Sequence, residues 1–223
     1  LGMAVSTDPN GQVFRDLGVI IQPNRIGGQA EVGGGSFAAV NGFLNVYYSD
    51  FLSDGTWASV AVARAPMAEL LANALVGKST SFNKYYNGDW SEPGIHGMAS
   101  SLEVGAPANV WLGMSYNDYL DRLVMVSAQW APSGVNLYLS SSADGINWSP
   151  RQPVALDSGE QYYPTIIGTG ADPLRSGQSF YVYYTDSQKG AFSRWSDAQL
   201  RRREITINEP GLAANTSLGG GSL

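Results

Sequence analysis

The chain of 223 residues contains no cysteine, which excludes disulfides, thiolate metal sites and a cysteine nucleophile together. Charge is also scarce. Asp, Glu, Lys and Arg make up 14% of the residues, and 13 basic side chains face 19 acidic ones, for a net charge of −6. Such a chain lacks the basic face that displaces counterions from a nucleic-acid backbone. No apolar run reaches the roughly 18 residues that a membrane-spanning helix needs. The first residues show no basic n-region followed by an apolar h-region, so no signal peptide is visible. With one histidine, His96, and no cysteine, a zinc site of the usual nitrogen and sulfur type cannot be built. A hard cation such as calcium, held by oxygens on an axis, is compatible with the composition.

Helical periodicity is nearly missing too. Pro66 to Leu75 reads as one short helix, with Pro at its start and Gly77 beyond its end. A second short helix is expected over Ser196 to Arg203. The remainder alternates short β-branched or aromatic runs with Gly, Asn, Asp and Pro, the pattern of an all-β protein. Two internal repeats sharpen this. Gly42-Phe43-Leu44-Asn45-Val46-Tyr47-Tyr48-Ser49-Asp50 recurs as Gln178-Ser179-Phe180-Tyr181-Val182-Tyr183-Tyr184-Thr185-Asp186. Val5 to Phe14 recurs as Leu139 to Trp148, each a strand, a Ser-x-Asp turn with Gly, and an aromatic expected to be buried over the turn.

The strands fall into groups of four: Ser36–Val40, Phe43–Tyr48, Trp57–Arg64 and Phe82–Tyr86; then Val110–Tyr116, Arg122–Ala128, Val135–Ser141 and Pro153–Leu156; then Tyr163–Gly168, Phe180–Thr185, a poorly marked strand near Phe192, and Arg203–Ile207. Met3–Ser6 and Leu17–Ile21 read as the outer half of another group. Four-stranded groups at this spacing predict an all-β β-propeller over residues 1–207, with about three and a half blades, followed by a flexible tail at 208–223. Too few blades to close a ring leaves two readings, an N-terminal portion that is lacking, which is the leading expectation, or a ring that closes unusually. A strand edge left open there would offer a surface for self-association.

In a propeller, the loops entering the innermost strands place side chains at the mouth of a central channel. Here those segments hold Glu31, Glu92, Glu103 and Glu160. Carboxylates converging on a channel are what glycoside hydrolysis requires, one protonating the leaving oxygen and one activating water or attacking the sugar. The Gly33-Gly34-Gly35 run would admit a substrate close to the backbone. His96, between Gly94 and Gly97, is a candidate general acid, a neighbour that tunes one, or one ligand of a metal on the propeller axis. Tyr162, Tyr163 and Trp90 are candidate sugar-stacking rings, with Gln161 beside them. No Gly-x-Ser-x-Gly elbow surrounds any Ser, and Gly77-Lys78-Ser79 follows the helix that a phosphate loop would precede.

Ser-Ala-Asp-Gly-Ile-Asn-Trp at 142–148, the Tyr-Tyr-Ser-Asp and Tyr-Tyr-Thr-Asp strand ends, and Tyr-Tyr-Pro-Thr-Ile-Ile-Gly at 162–168 together resemble the five-bladed propeller glycosidases. These comprise glycoside hydrolase family 43 and relatives acting on arabinofuranosides, xylosides and fructans. Residues 82–94 and 194–203 resemble segments of uncharacterised bacterial secreted members of that fold. The resemblance runs from about residue 3 to residue 207. It implies an Asp base, an Asp that tunes pKa and a Glu acid, each on a different blade. Glu31 or Glu92 would match the acid or modulator and Glu160 the third position, while the base would belong to the blade that is lacking. It also implies a carbohydrate ligand and a secreted or periplasmic location. The Ser-x-Asp turn occurs in sialidases as well, but the arginine cluster of those enzymes is not matched by the scattered Arg25, Arg64, Arg151 and Arg175. The leading expectation is a glycosidase. A non-catalytic carbohydrate-binding or scaffold propeller is its rival.

Overall fold

A computed structural model describes residues 1–24, 32–50, 59–102, 109–131, 134–154, 159–187, 195–208 and 214–216. The chain divides into two compact units, residues 1–104 and 105–223.

In the first unit, β1 (Gly2–Val5) and β2 (Arg15–Val19) pair antiparallel as a separate two-stranded sheet. Then β3 (Val32–Val40), β4 (Phe43–Asp50), β5 (Ser59–Pro66), the helix α1 (Met67–Leu75), β6 (Asn83–Tyr86) and β7 (Asp89–Pro93) follow in chain order. The five strands form one antiparallel meander, β3-β4-β5-β6-β7. Two of its hairpins close on Asn-Gly: Asn41 and Gly42 have φ of 51° and 78°, Asn87 and Gly88 of 48° and 90°. Positive φ at both central residues matches the twist of the flanking strands, and Asn-Gly adopts it at least cost. The helix buries Leu70 and Ala74 and joins a core of Ile20, Ile21, Tyr48, Ala61, Ala63, Ala65 and Phe82.

In the second unit, β8 (Asn109–Asn117), β9 (Arg122–Ala131), β10 (Gly134–Ser142) and β11 (Gln152–Pro153) form one antiparallel run. Next come β12 (Glu160–Gly168), β13 (Arg175–Ser176), β14 (Ser179–Ser187), β15 (Gln199–Ile207) and β16 (Ala214–Thr216). Of these, β12, β14, β15 and β16 make a second antiparallel sheet. The connection between β12 and β14 sends β13 across to lie parallel to β8, where the buried Asn117 donates from Nδ2 to Ser176 Oγ (3.0 Å) and Gly177 O (2.7 Å). Val124, Val126, Val135, Leu137 and Leu139 of one sheet pack with Ile166, Phe180, Val182, Ile205 and Ile207 of the other. Each such side chain contributes about 1.5–3 kcal/mol on burial.

The strands expected in the first two groups are all present, and the helix, at Met67–Leu75, and the N-terminal strand pair match. Other expectations need correction. Two sheets have five strands, because β7 and β13 add to them. Residues 199–207, expected to be partly helical, are strand, since eight cross-strand pairs with β14 and the burial of Ile205 and Ile207 outweigh the local pattern. The fourth strand of the last sheet is β16, from the stretch read as a tail. The strand expected near Phe192 lies outside the described residues. Phe14 is 63% exposed rather than buried over its turn. The turns themselves form as expected. The Asp8 carboxylate accepts the N–H groups of Asn10 and Gln12, and Asp144 Oδ1 accepts those of Ile146 and Asn147.

Candidate functional site

The head of β12 brings four of the predicted residues together. A bulge separates Tyr162, opposite Thr185, from Thr165, opposite Tyr183. Within it Tyr163 takes a left-handed backbone, φ 52°, which is uncommon for a bulky residue and doubly so before a proline. The bulge splits the tyrosine pair: Tyr162 is buried at 1% exposure and Tyr163 is 46% exposed. The Tyr163 ring centroid lies 4.6 Å from Trp111 at an interplanar angle of 58°, and Tyr162 meets Trp111 edge-on at 5.4 Å. The Tyr162 hydroxyl donates to Glu160 Oε2. Burial, and then the bond to Glu160, push the Tyr162 phenol far above its ordinary value, so it is a fixed donor at every physiological pH.

Glu160 is itself buried, at 8% exposure. Its carboxyl lies against Gly134, where a Cβ would stand 3.1 Å from Oε1. Gln161 is buried and faces Asp186 across the ladder. Nearby on β9, the buried Gln129 accepts a hydrogen bond from Arg151 Nη1 at 2.6 Å. Buried polar groups therefore gather where β9 and β14 end and β10 and β12 begin.

The other predicted residues belong to the first unit. Glu92 is on β7, the sheet edge opposite β3, and its Oε2 accepts the Met98 N–H at 2.8 Å. His96 is exposed with φ 62°, its Nδ1 3.4 Å from Pro23 O. Trp90, half-buried on β7, carries the Arg64 guanidinium 3.9 Å over its ring and Tyr85 at 5.3 Å. Glu31 and Glu103 lie outside the described residues.

Sequence reading missed one centre entirely. Lys84 is wholly buried and donates to Gln22 O (2.6 Å), Gly97 O (3.0 Å) and Asp50 Oδ2 (3.4 Å). Burial pulls its ammonium below the ordinary lysine value, against the opposing pull of Asp50. The Asp ending the first Tyr-Tyr repeat was visible; the lysine that meets it is 34 residues away and carries no local signal. Among the described residues no three His, Asp or Glu side chains stand together as a metal-holding group.

Solved structures share this architecture. Fructan 1-exohydrolase IIa from Cichorium intybus superposes over 100% of this chain and 38% of its own, with a TM-score of 0.62 at 16% identity. The chain has the fold of the five-bladed propeller glycosidases. A second solved glycoside hydrolase matches over 100% of this propeller and 65% of its own length, at TM-score 0.56 and 12% identity. A thermostable family-43 glycoside hydrolase matches over 91% and 57%, at TM-score 0.50 and 13% identity. The propeller chain thus spans less than two thirds of the length of these neighbours, and at such identities the likeness is one of fold. No family model and no curated protein matches the chain.

Proposed function

We propose that this propeller binds a glycan at the head of β12 and acts on it by carboxylate chemistry. The observation that carries the reading is the strained, exposed Tyr163 set against Trp111, one residue beyond the buried Tyr162–Glu160 pair. Strain in a bulky residue persists where the surroundings impose it, and such positions cluster at ligand sites. The paired rings offer apolar area to the C–H faces of a sugar. Glu160, accepting from a tyrosine that keeps its proton, is presented as an acceptor toward a water or a sugar hydroxyl. That suits the base or nucleophile half of glycoside hydrolysis, which needs a second carboxyl to protonate the leaving group. Several neighbours of the same fold are glycoside hydrolases by name, including one that is a fructan exohydrolase, which supports the substrate class.

A panel of aryl glycosides and oligosaccharides tests this. Turnover abolished by Glu160→Gln with binding retained, and binding lost in Tyr163→Ala, is the expected result. Turnover untouched by Glu160→Gln would remove the assignment. The burial of Glu160 beneath Tyr162 and against Gly134 favours one other reading, a propeller that binds glycan without cleaving it. Binding with no turnover across the panel would select that reading.

A further inference from the structure

The two Tyr-Tyr repeats are repeats of geometry as well as of sequence. On β3 and β4, Val32 faces Asp50, Gly33 faces Ser49, and a bulge precedes Ser36 opposite Tyr47. On β12 and β14, Gln161 faces Asp186, Tyr162 faces Thr185, and a bulge precedes Thr165 opposite Tyr183. The bulges match in detail, since Gly34 has φ 62° and Tyr163 has φ 52°. Each unit therefore holds the same strand-pair device: a left-handed bulge on the first strand and an aspartate near the end of the second.

Each aspartate has a cation, but the cations come from different strands. Asp50 meets Lys84 of β6, and both are sealed, with side chains 3% and 0% exposed. Asp186 Oδ2 lies 3.5 Å from Arg201 Nε of β15, with side chains 15% and 33% exposed. At the place of Arg201, opposite the second tyrosine of the pair, the first unit has Ala61. The carboxylate is thus the fixed part of the device and the cation an interchangeable one. In the first unit a closed ion pair ends the sheet. In the second the pair stays partly open, beside the residues that Glu160 needs. The Asp186 carboxylate packs directly on Gly159, where a Cβ would collide with it and stand 2.5 Å from Ser187 O.

We infer that Asp186, steadied by Arg201 and seated on Gly159, is a positioning residue for Glu160. It fixes the backbone immediately before Glu160, and so fixes the carboxyl relative to the Tyr162 hydroxyl. This rests on the reading of Glu160 as the carboxyl of the site, but its test needs no glycan. The hydroxyl proton of Tyr162, hydrogen-bonded and buried, gives an NMR resonance assigned by its loss in Tyr162→Phe. Asp186→Asn and Gly159→Ala should each shift or abolish that resonance while thermal unfolding remains cooperative. Asp186→Glu, which keeps the charge on a longer arm, carries the same expectation should Asp186→Asn fail to fold. A resonance unmoved in the folded variants, or missing from the unsubstituted protein, overturns the inference. A glycan panel that fails while these shifts appear would instead sink the functional reading alone. Where a glycan binds, Asp186→Asn should weaken it about tenfold, the scale of one charge-assisted hydrogen bond.

Discussion

The Tyr162 hydroxyl donates to the carboxyl of Glu160, two residues earlier on the same strand. Side chains two apart on a strand share a face, so the bond closes a small ring that locks both groups. Tyr162→Phe removes the donor and leaves a buried carboxylate short of one partner. The expected cost is about 1–3 kcal/mol in urea unfolding, with any glycan turnover falling alongside.

Tyr163 should separate stability from binding. Asn tolerates the left-handed backbone far better than Tyr does, and the ring it would replace is 46% exposed. Tyr163→Asn is therefore expected to stay within about 1 kcal/mol of the parent in stability while glycan affinity is lost. Equal loss of both, read by thermal unfolding and affinity electrophoresis, would make Tyr163 a packing residue.

Lys84→Met is expected to destabilise the first unit severely. The apolar stem is replaced, but Asp50 stays buried with its cation gone, a situation that costs about 3–5 kcal/mol. Lys84→Met combined with Asp50→Leu should recover much of that loss. Chemical denaturation of the three variants decides it.

Asp144 links the second unit to pH. Partial burial works against its charge, but hydrogen bonds from Asn147 N, Ile146 N, Asn147 Nδ2 and Ser142 Oγ outweigh it and hold the carboxyl at about 2, below the ordinary 3.8. The folded form thus keeps the charge at pH values where the unfolded form takes up a proton. Its stabilisation is full above 3.8 and disappears as pH falls toward 2. Because the turn is exposed to solvent, about 1 kcal/mol is the expected size. The difference between the parent and Asp144→Ala, followed from pH 7 to pH 2, should shrink across that interval.

The fold was largely legible because its signals are local. Asn-Gly and Asp-Gly turns, aromatic alternation and the Tyr-Tyr repeat each announce themselves within a few residues. What stayed hidden needed a distant partner. β13 is two residues long and exists only through its pairing with β8; residues 199–207 become strand only against β14. For the site, Glu160, Gln161, Tyr162 and Tyr163 are one contiguous stretch, so reading one meant reading all. Trp111 and Asp186 join them through pairing and packing, which sequence spacing does not encode. The opposite fates of Tyr162 and Tyr163 come from the bulge, and Pro164 was the one local hint of it.

The strand β13 has a mechanical consequence. Through it a segment of one sheet's connection is hydrogen-bonded into the other sheet, with the buried Asn117 amide gripping both Ser176 and Gly177. The two sheets of the second unit cannot be peeled apart one at a time, because drawing either away must first shear this two-residue rivet. Their backbone amides should therefore exchange with solvent as one cooperative block, and the block should yield abruptly under load instead of strand by strand.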